Sequence, residues 1–168
     1  MKLNHEGMHV IGVAAKRKNA GDTAVFHAED ETDMTFLGII AFLDPPKPDA
    51  KEAIHGLYDA GVQVKVISGD APVVVEHVCK LVGMKVGEQN AVTGSDLEKM
   101  SEEELSSVVE KKDIFARLSP MQKQRVVDAL RKNGHVVGYM GDGVNDAPSL
   151  HDADVGISVD NATDVAKA

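Results

Sequence analysis

From Asp49 onward, apolar positions fall alternately into helix-spaced and strand-like segments. Asp49 to Ala60 reads as a helix entered through Pro48 and stopped by Gly61. Val62, Val64, Val66 and Ile67 make a β-branched strand ending at Ser68-Gly69-Asp70, and Pro72 opens a second helix that Gly83 ends. Ser95 with Glu98 and Ser101 with Glu104 are capping-box patterns for short helices. Asp113 to Arg117 is a short strand, Pro120 to Asn133 a helix, and Gly134 its stop. The apolar run His135 to Met140 and the segment Val155 to Val159 complete the strands. Strands separated by helices of this length predict parallel βαβ units and an α/β fold.

The first forty or so residues follow another pattern. Met8 to Ala15 and Met34 to Leu43 read as strands with no helix between them, joined by the polar stretch Lys16 to Asp33. The change falls at Asp44-Pro45-Pro46-Lys47-Pro48, where stacked prolines cannot continue a central strand. A hinge between two units is expected there, the bland alternative being an edge-strand terminator.

Composition narrows the possibilities. The chain has 168 residues, enough for one ordinary domain with a small appendage, and is 43% hydrophobic but only 4% aromatic, so aliphatic side chains must fill the core. A formal charge of −9 argues against nucleic-acid backbone binding as the main task. The single cysteine, Cys79, rules out an intrachain disulfide framework and is expected in the core. No apolar stretch is long enough to span a bilayer and no signal peptide is present, so the chain reads as soluble. His77 and Cys79 do not share a helix face, and His151 is expected in solvent rather than on a metal.

The chemistry concentrates in Gly141-Asp142-Gly143-Val144-Asn145-Asp146-Ala147-Pro148, directly after the His135–Met140 strand. Asp142 and Asp146 are hard oxygen ligands of the kind Mg²⁺ takes, at the carboxyl end of a strand, where open α/β sheets bind ligands. An Asp/Gly/Asn turn explains the loop equally well taken alone. Ser68 ends another strand, where its hydroxyl could reach a phosphoryl oxygen. Lys123, in the first turns of the helix beginning at Pro120, could offset phosphoryl charge. Singly, each is better explained as a turn hydroxyl and a solvated lysine.

Together these residues resemble the haloacid dehalogenase superfamily, and more closely the phosphorylation domain of P-type ATPases. DPPKPDAKEAI resembles the family's hinge, VKVISGD its TGD segment, FARLSPMQK its lysine segment and MGDGVNDAPSLHDADVGISV its long signature. GMHVIGVA resembles the end of the nucleotide-binding domain that precedes the hinge. The wording FLDPPK, FARLSPMQK and GHVVGYMGDGVNDAP is most like magnesium-transporting members, with proton and calcium pumps as alternatives. The resemblance implies a three-layer Rossmann-like sheet of haloacid dehalogenase type. Residues 1–43 would be the C-terminal remnant of a nucleotide-binding domain and 44–168 a phosphorylation domain. It implies Mg²⁺ on Asp142 with support from Asp146, Asn145 and Ser68 on the phosphoryl group, and Lys123 offsetting its charge. ATP would lie toward Gly69, Asp70 and Arg117, with Asp44 in the hinge. Ser68 stands where the family usually has Thr, and Met140 where many members have Thr; neither change removes a ligand.

A third departure is larger. The family's phosphorylated aspartate, in an Asp-Lys-Thr-Gly-Thr segment, is absent; Asp22-Thr23 and Asp70-Ala71 are no substitutes. The chain is therefore expected to begin late in the nucleotide-binding insertion and to stop before membrane helices resume, a complete small protein being the alternative. The parent would lie in the plasma membrane with this part on its cytoplasmic face, and this chain alone would be inactive. The missing segment also carries the sheet's central strand, and an open slot would leave backbone groups unpaired. Either a local strand such as Met8 to Ala15 should fill it, or two chains should exchange strands as a homodimer. A stand-alone phosphatase of the superfamily would need an Asp-x-Asp after an early strand, which is lacking. A non-catalytic Mg²⁺-binding regulatory module is the remaining alternative.

Overall fold

The structure, a computed structural model, describes residues 8–17, 27–42, 45–87, 90–141 and 146–158. Its centre is the strand β5 (Ile114–Ala116), three consecutive buried residues in a sheet of order β3-β5-β4, with β3 at Val66–Ile67 and β4 at Ala91–Thr93. Both neighbours run parallel to β5. A parallel strand buried on both faces must be apolar at every position, and Ile-Phe-Ala is.

Successive side chains of β5 point to opposite faces and so enter different cores. Phe115 packs among Leu97, Leu105, Val109, Val126 and Leu130. These come from helices α3 (Gly94–Leu97), α4 (Glu102–Lys111) and α5 (Pro120–Lys132). Ile114 and Ala116 pack with Val75, Cys79, Val82 and Met84, and with the half-buried Ala50 and Ile54. That layer is α1 (Ala50–Asp59) and α2 (Pro72–Leu81). Helix layers on both faces of a parallel sheet make the three-layer α/β architecture expected from the sequence. Cys79 is fully buried, and desolvation pushes its thiol up to about 11, so it is an inert core residue.

Proline and glycine punctuation places the helices. Pro72 and Pro120 occupy first turns, while Gly61, Gly83 and Gly134 adopt φ of 78°, 80° and 91° just past helix ends. Ser101 with Glu104 forms its capping box, and Ser119 with Gln122 forms another. The box expected at Ser95 and Glu98 is instead Thr93 with Asp96, because the short strand β4 delivers Thr93 to the N-cap.

A second parallel pair, β6 (Gly138–Gly141) with β7 (Val155–Ser158), lies beside this sheet. Helix α6 (Ala147–Asp152) connects them. Helix α5 serves both sheets: Val126, Ala129 and Leu130 face the first core, and Val127 packs with Tyr139 and Leu150 under the second. Ile67 of β3 touches both cores. Yet β3 and β6 are not paired, and among the described residues no strand lies between them.

The N-terminal strands form their own ribbon. β1 (His9–Ala15) pairs antiparallel with β2 (Thr35–Phe42), from His9 opposite Phe42 to Ala15 opposite Thr35, with a bulge at Val13/Ala14. The expectation that Met8–Ala15 fills the central slot is thus corrected. β1 satisfies its backbone on β2, and moving it would leave β2 without a partner. The ribbon exposes Ile11, Phe36, Leu37, Ile39 and Ile40. Asp44 and Leu43, at the expected hinge, lie outside the described residues.

The strand expected over Val62–Ile67 is shorter in the structure, since β5 offers partners only along its own length. The strand expected from His135 begins at Gly138. There the Asp154 carboxylate accepts from Val137 N (2.9 Å) and from Arg131, and these bonds hold it below the usual carboxylate range.

Candidate phosphoryl-transfer cleft

The carboxyl ends of β3 and β6 flank a cleft of about 260 Å³ lined by Ile67, Ser68, Lys123, Tyr139, Met140, Gly141 and Asp146. Three sequence-singled residues thus meet here from three elements. Lys123 Nζ donates to Asp146 Oδ1 at 2.8 Å, and the two side chains are only 13% and 14% exposed. At that burial a lone charge would be costly, so each ion stabilises the other's presence. Lys123 stands in the first turn of α5, which the Ser119 cap and Pro120 begin.

Ser68 is held by the loop it caps. Its backbone N–H donates to Phe115 O (2.8 Å), and its Oγ donates to Asp70 Oδ2 (3.0 Å) while accepting from Asp70 N (3.1 Å). The facing loop is bound to it: Leu118 N donates to Ser68 O and Arg117 N to Asp70 O. Arg117 bends to meet this partner at φ 54°, an uncommon conformation for a side-chain-bearing residue. A Cβ at Gly69 would meet only ordinary contact, from Leu118 O at 3.7 Å. Gly69, Asp70 and Arg117 are therefore brought together beside Ser68, although not onto Lys123 and Asp146. Asp142 and Asn145 lie outside the described residues.

Two features escaped the sequence reading. Tyr139, 7% exposed, donates its hydroxyl to the same Asp146 Oδ1 at 3.0 Å. Burial, and then the Asp146 charge, raise the phenol well above its ordinary value. Gly141 also leaves room for Asp146, since a Cβ there would stand 2.6 Å from Asp146 Cβ and 3.0 Å from its Cγ. Gly141→Ala should displace Asp146 and destabilise the chain by about 1–3 kcal/mol. Denaturant unfolding checks this; an unchanged midpoint contradicts the packing described.

The described oxygen donors of the cleft, the Asp146 carboxylate and Ser68 hydroxyl, are of the hard class suited to Mg²⁺. Among the described residues no group of three or more His, Cys, Asp or Glu could itself hold a metal. One carboxylate beside a lysine fits such an ion in kind, with further oxygen ligands needed. Among the described residues no helix is long and apolar enough to cross a membrane.

Parallel strands layered by helices on both faces, with a lysine–aspartate pair and a serine at the strand ends, define an α/β domain with a polar cleft. Residues 8–154 match the haloacid dehalogenase-like hydrolase family, and the chain belongs to it. It is 50% identical over 165 residues to the magnesium-transporting ATPase, P-type 1, of Salmonella typhimurium, covering 98% of this chain and 18% of that protein. The Escherichia coli K12 protein of the same name is 47% identical over 167 residues, with the same coverage. A calcium-transporting ATPase of Bacillus subtilis is 38% identical over 166 residues, again covering 98% of this chain and 18% of that protein. The chain thus spans about a fifth of the length of these curated relatives.

Proposed function

We propose that this chain supplies half of the phosphoryl-transfer site of a P-type cation-transporting ATPase of the magnesium-transporting kind. The observation that carries this reading is the cleft between β3 and β6, whose facing edges pair with no strand among the described residues, lined by Lys123, Asp146 and Ser68. The higher identity to magnesium-transporting than to calcium-transporting relatives favours that ion class.

In this reading residues 44–168 are the phosphorylation domain and 1–43 the end of a nucleotide-binding domain. One extended strand from elsewhere in the parent chain occupies the slot and brings the acceptor aspartate of an Asp-Lys-Thr-Gly-Thr segment to the cleft. Its carboxylate oxygen bonds the γ-phosphorus of ATP as the bridging oxygen leaves with ADP; water later releases phosphate.

Lys123 offsets charge on the phosphoryl oxygens, the Ser68 hydroxyl turns its single proton from Asp70 to one of them, and Asn145 contacts another. Asp70, Gly69 and Arg117 face the nucleotide. Asp142, with support from Asp146, would hold the Mg²⁺, which when bound supplies further neutralisation of phosphate charge. Most of the catalysis is positioning and charge stabilisation. The domain works at the cytoplasmic face of the membrane that the parent spans.

Alone, the chain has no acceptor aspartate of this kind. Incubated with Mg²⁺ and γ-labelled ATP, it should form no acid-stable phosphoenzyme, whereas Mg²⁺ should bind and Asp142→Ala should weaken that binding at least roughly tenfold. A labelled acyl phosphate on the isolated chain, or equal Mg²⁺ affinity in the variant, would contradict the assignment.

A further inference from the structure

We propose that Tyr139 is a positioning residue of this cleft: its buried hydroxyl fixes the Asp146 carboxylate so that Lys123 is presented to a phosphoryl group. The proposal rests on the phosphoryl-transfer reading above. Three constraints converge on Asp146. Lys123 of α5 and Tyr139 of β6 both donate to Oδ1, at 2.8 and 3.0 Å, while Gly141 packs directly against the side chain. The Tyr139 ring is packed against Val127 and Leu150, which holds the strand end that aims its hydroxyl at Asp146.

A lysine on a four-carbon stem is a poorly oriented cation by itself. Here its anion is fixed by a rigid aromatic donor, and one carboxylate oxygen divides its hydrogen-bonding capacity between two donors. Each donor is then held less tightly than a sole partner would be, and the ammonium, with three N–H donors, keeps capacity for a second anion. An ordinary phenol is protonated at neutral pH, so the hydroxyl is a donor. Packing does not require it: phenylalanine would fill the same volume against Val127 and Leu150.

The test is Tyr139→Phe in the 168-residue chain, titrated with inorganic phosphate in the presence of Mg²⁺, with the Lys123 Nζ resonance followed by ¹⁵N NMR. The expected result is a shifted Lys123 resonance before any phosphate is added and phosphate affinity weakened roughly tenfold, the size of one hydrogen bond to a charged group. Backbone signals away from the cleft should not move, and in a Lys123→Met background the tyrosine substitution should have no further effect on phosphate. If wild type binds phosphate and Tyr139→Phe binds it equally, the positioning role is overturned. If wild type binds none while the Lys123 resonance still shifts, the geometry stands and the phosphoryl-transfer reading fails. An unmoved resonance in a chain that binds none overturns both.

Discussion

Lys123→Met should destabilise the folded chain by about 3 kcal/mol, the low end for breaking a buried pair. Methionine matches the lysine stem but leaves Asp146 with its charge 14% exposed and its Lys123 bond gone. Tyr139 still donates to Oδ1, so the carboxylate is weakened in its support rather than wholly abandoned. The signature of this cause is its rescue. Asp146→Asn in the Lys123→Met background should recover most of the loss, because a neutral amide no longer needs a counter-ion. Equilibrium urea unfolding of the two single variants and the double variant measures the coupling. Additive losses would mean that the two side chains do not act as a pair.

The second large effect belongs to the centre of the sheet. Phe115→Ala should lower stability by about 3–5 kcal/mol, since a fully buried ring leaves a cavity among residues from three helices. Against a total of roughly 5–15 kcal/mol for a typical domain, that loss approaches unfolding. The site should suffer with the fold. Phe115 O receives the Ser68 N–H, so loosening β5 loosens the strand end that carries the serine hydroxyl. Heteronuclear NMR at low denaturant should show Ser68 and Asp70 amides shifting first, and a variant as stable as wild type would contradict the core described.

Most of the helical layer was legible because proline and glycine punctuate it. Pro72 with Gly83 and Pro120 with Gly134 bracket α2 and α5 closely, and the glycines take the left-handed backbone that ends a helix. Strand lengths were less legible. A β-branched run from Val62 reads as strand, but the ladder extends only where β5 supplies partners. β4, at three residues, and α6, at six, are too short for periodicity to mark.

In the site, Ser68, Lys123 and Asp146 were visible because their segments form recognisable ordered motifs, and the fold places all three on one cleft. Tyr139 was not. In sequence it is one apolar-looking position in an expected strand, and its role exists only where its hydroxyl meets a carboxylate seven residues on. The fate of β1 was likewise unreadable from pattern alone. An antiparallel partner within the same N-terminal segment outcompeted the distant slot, in line with the lower closure entropy of local pairing.

The space between β3 and β6, which no strand fills among the described residues, carries the functional reading, and it can be probed deliberately. On the reading proposed above, the 168-residue chain should be mixed with a separately expressed upstream portion of such a parent, bearing the Asp-Lys-Thr-Gly-Thr segment and its preceding strand. With Mg²⁺ and γ-labelled ATP, the mixture should form an acid-stable, hydroxylamine-sensitive acyl phosphate on the upstream portion. Neither part alone should do so, and Lys123→Met should largely abolish the label. A labelled upstream portion that is indifferent to the presence of this chain, or no label in a mixture that demonstrably associates, would contradict the assignment of this cleft as the other half of a phosphoryl-transfer site.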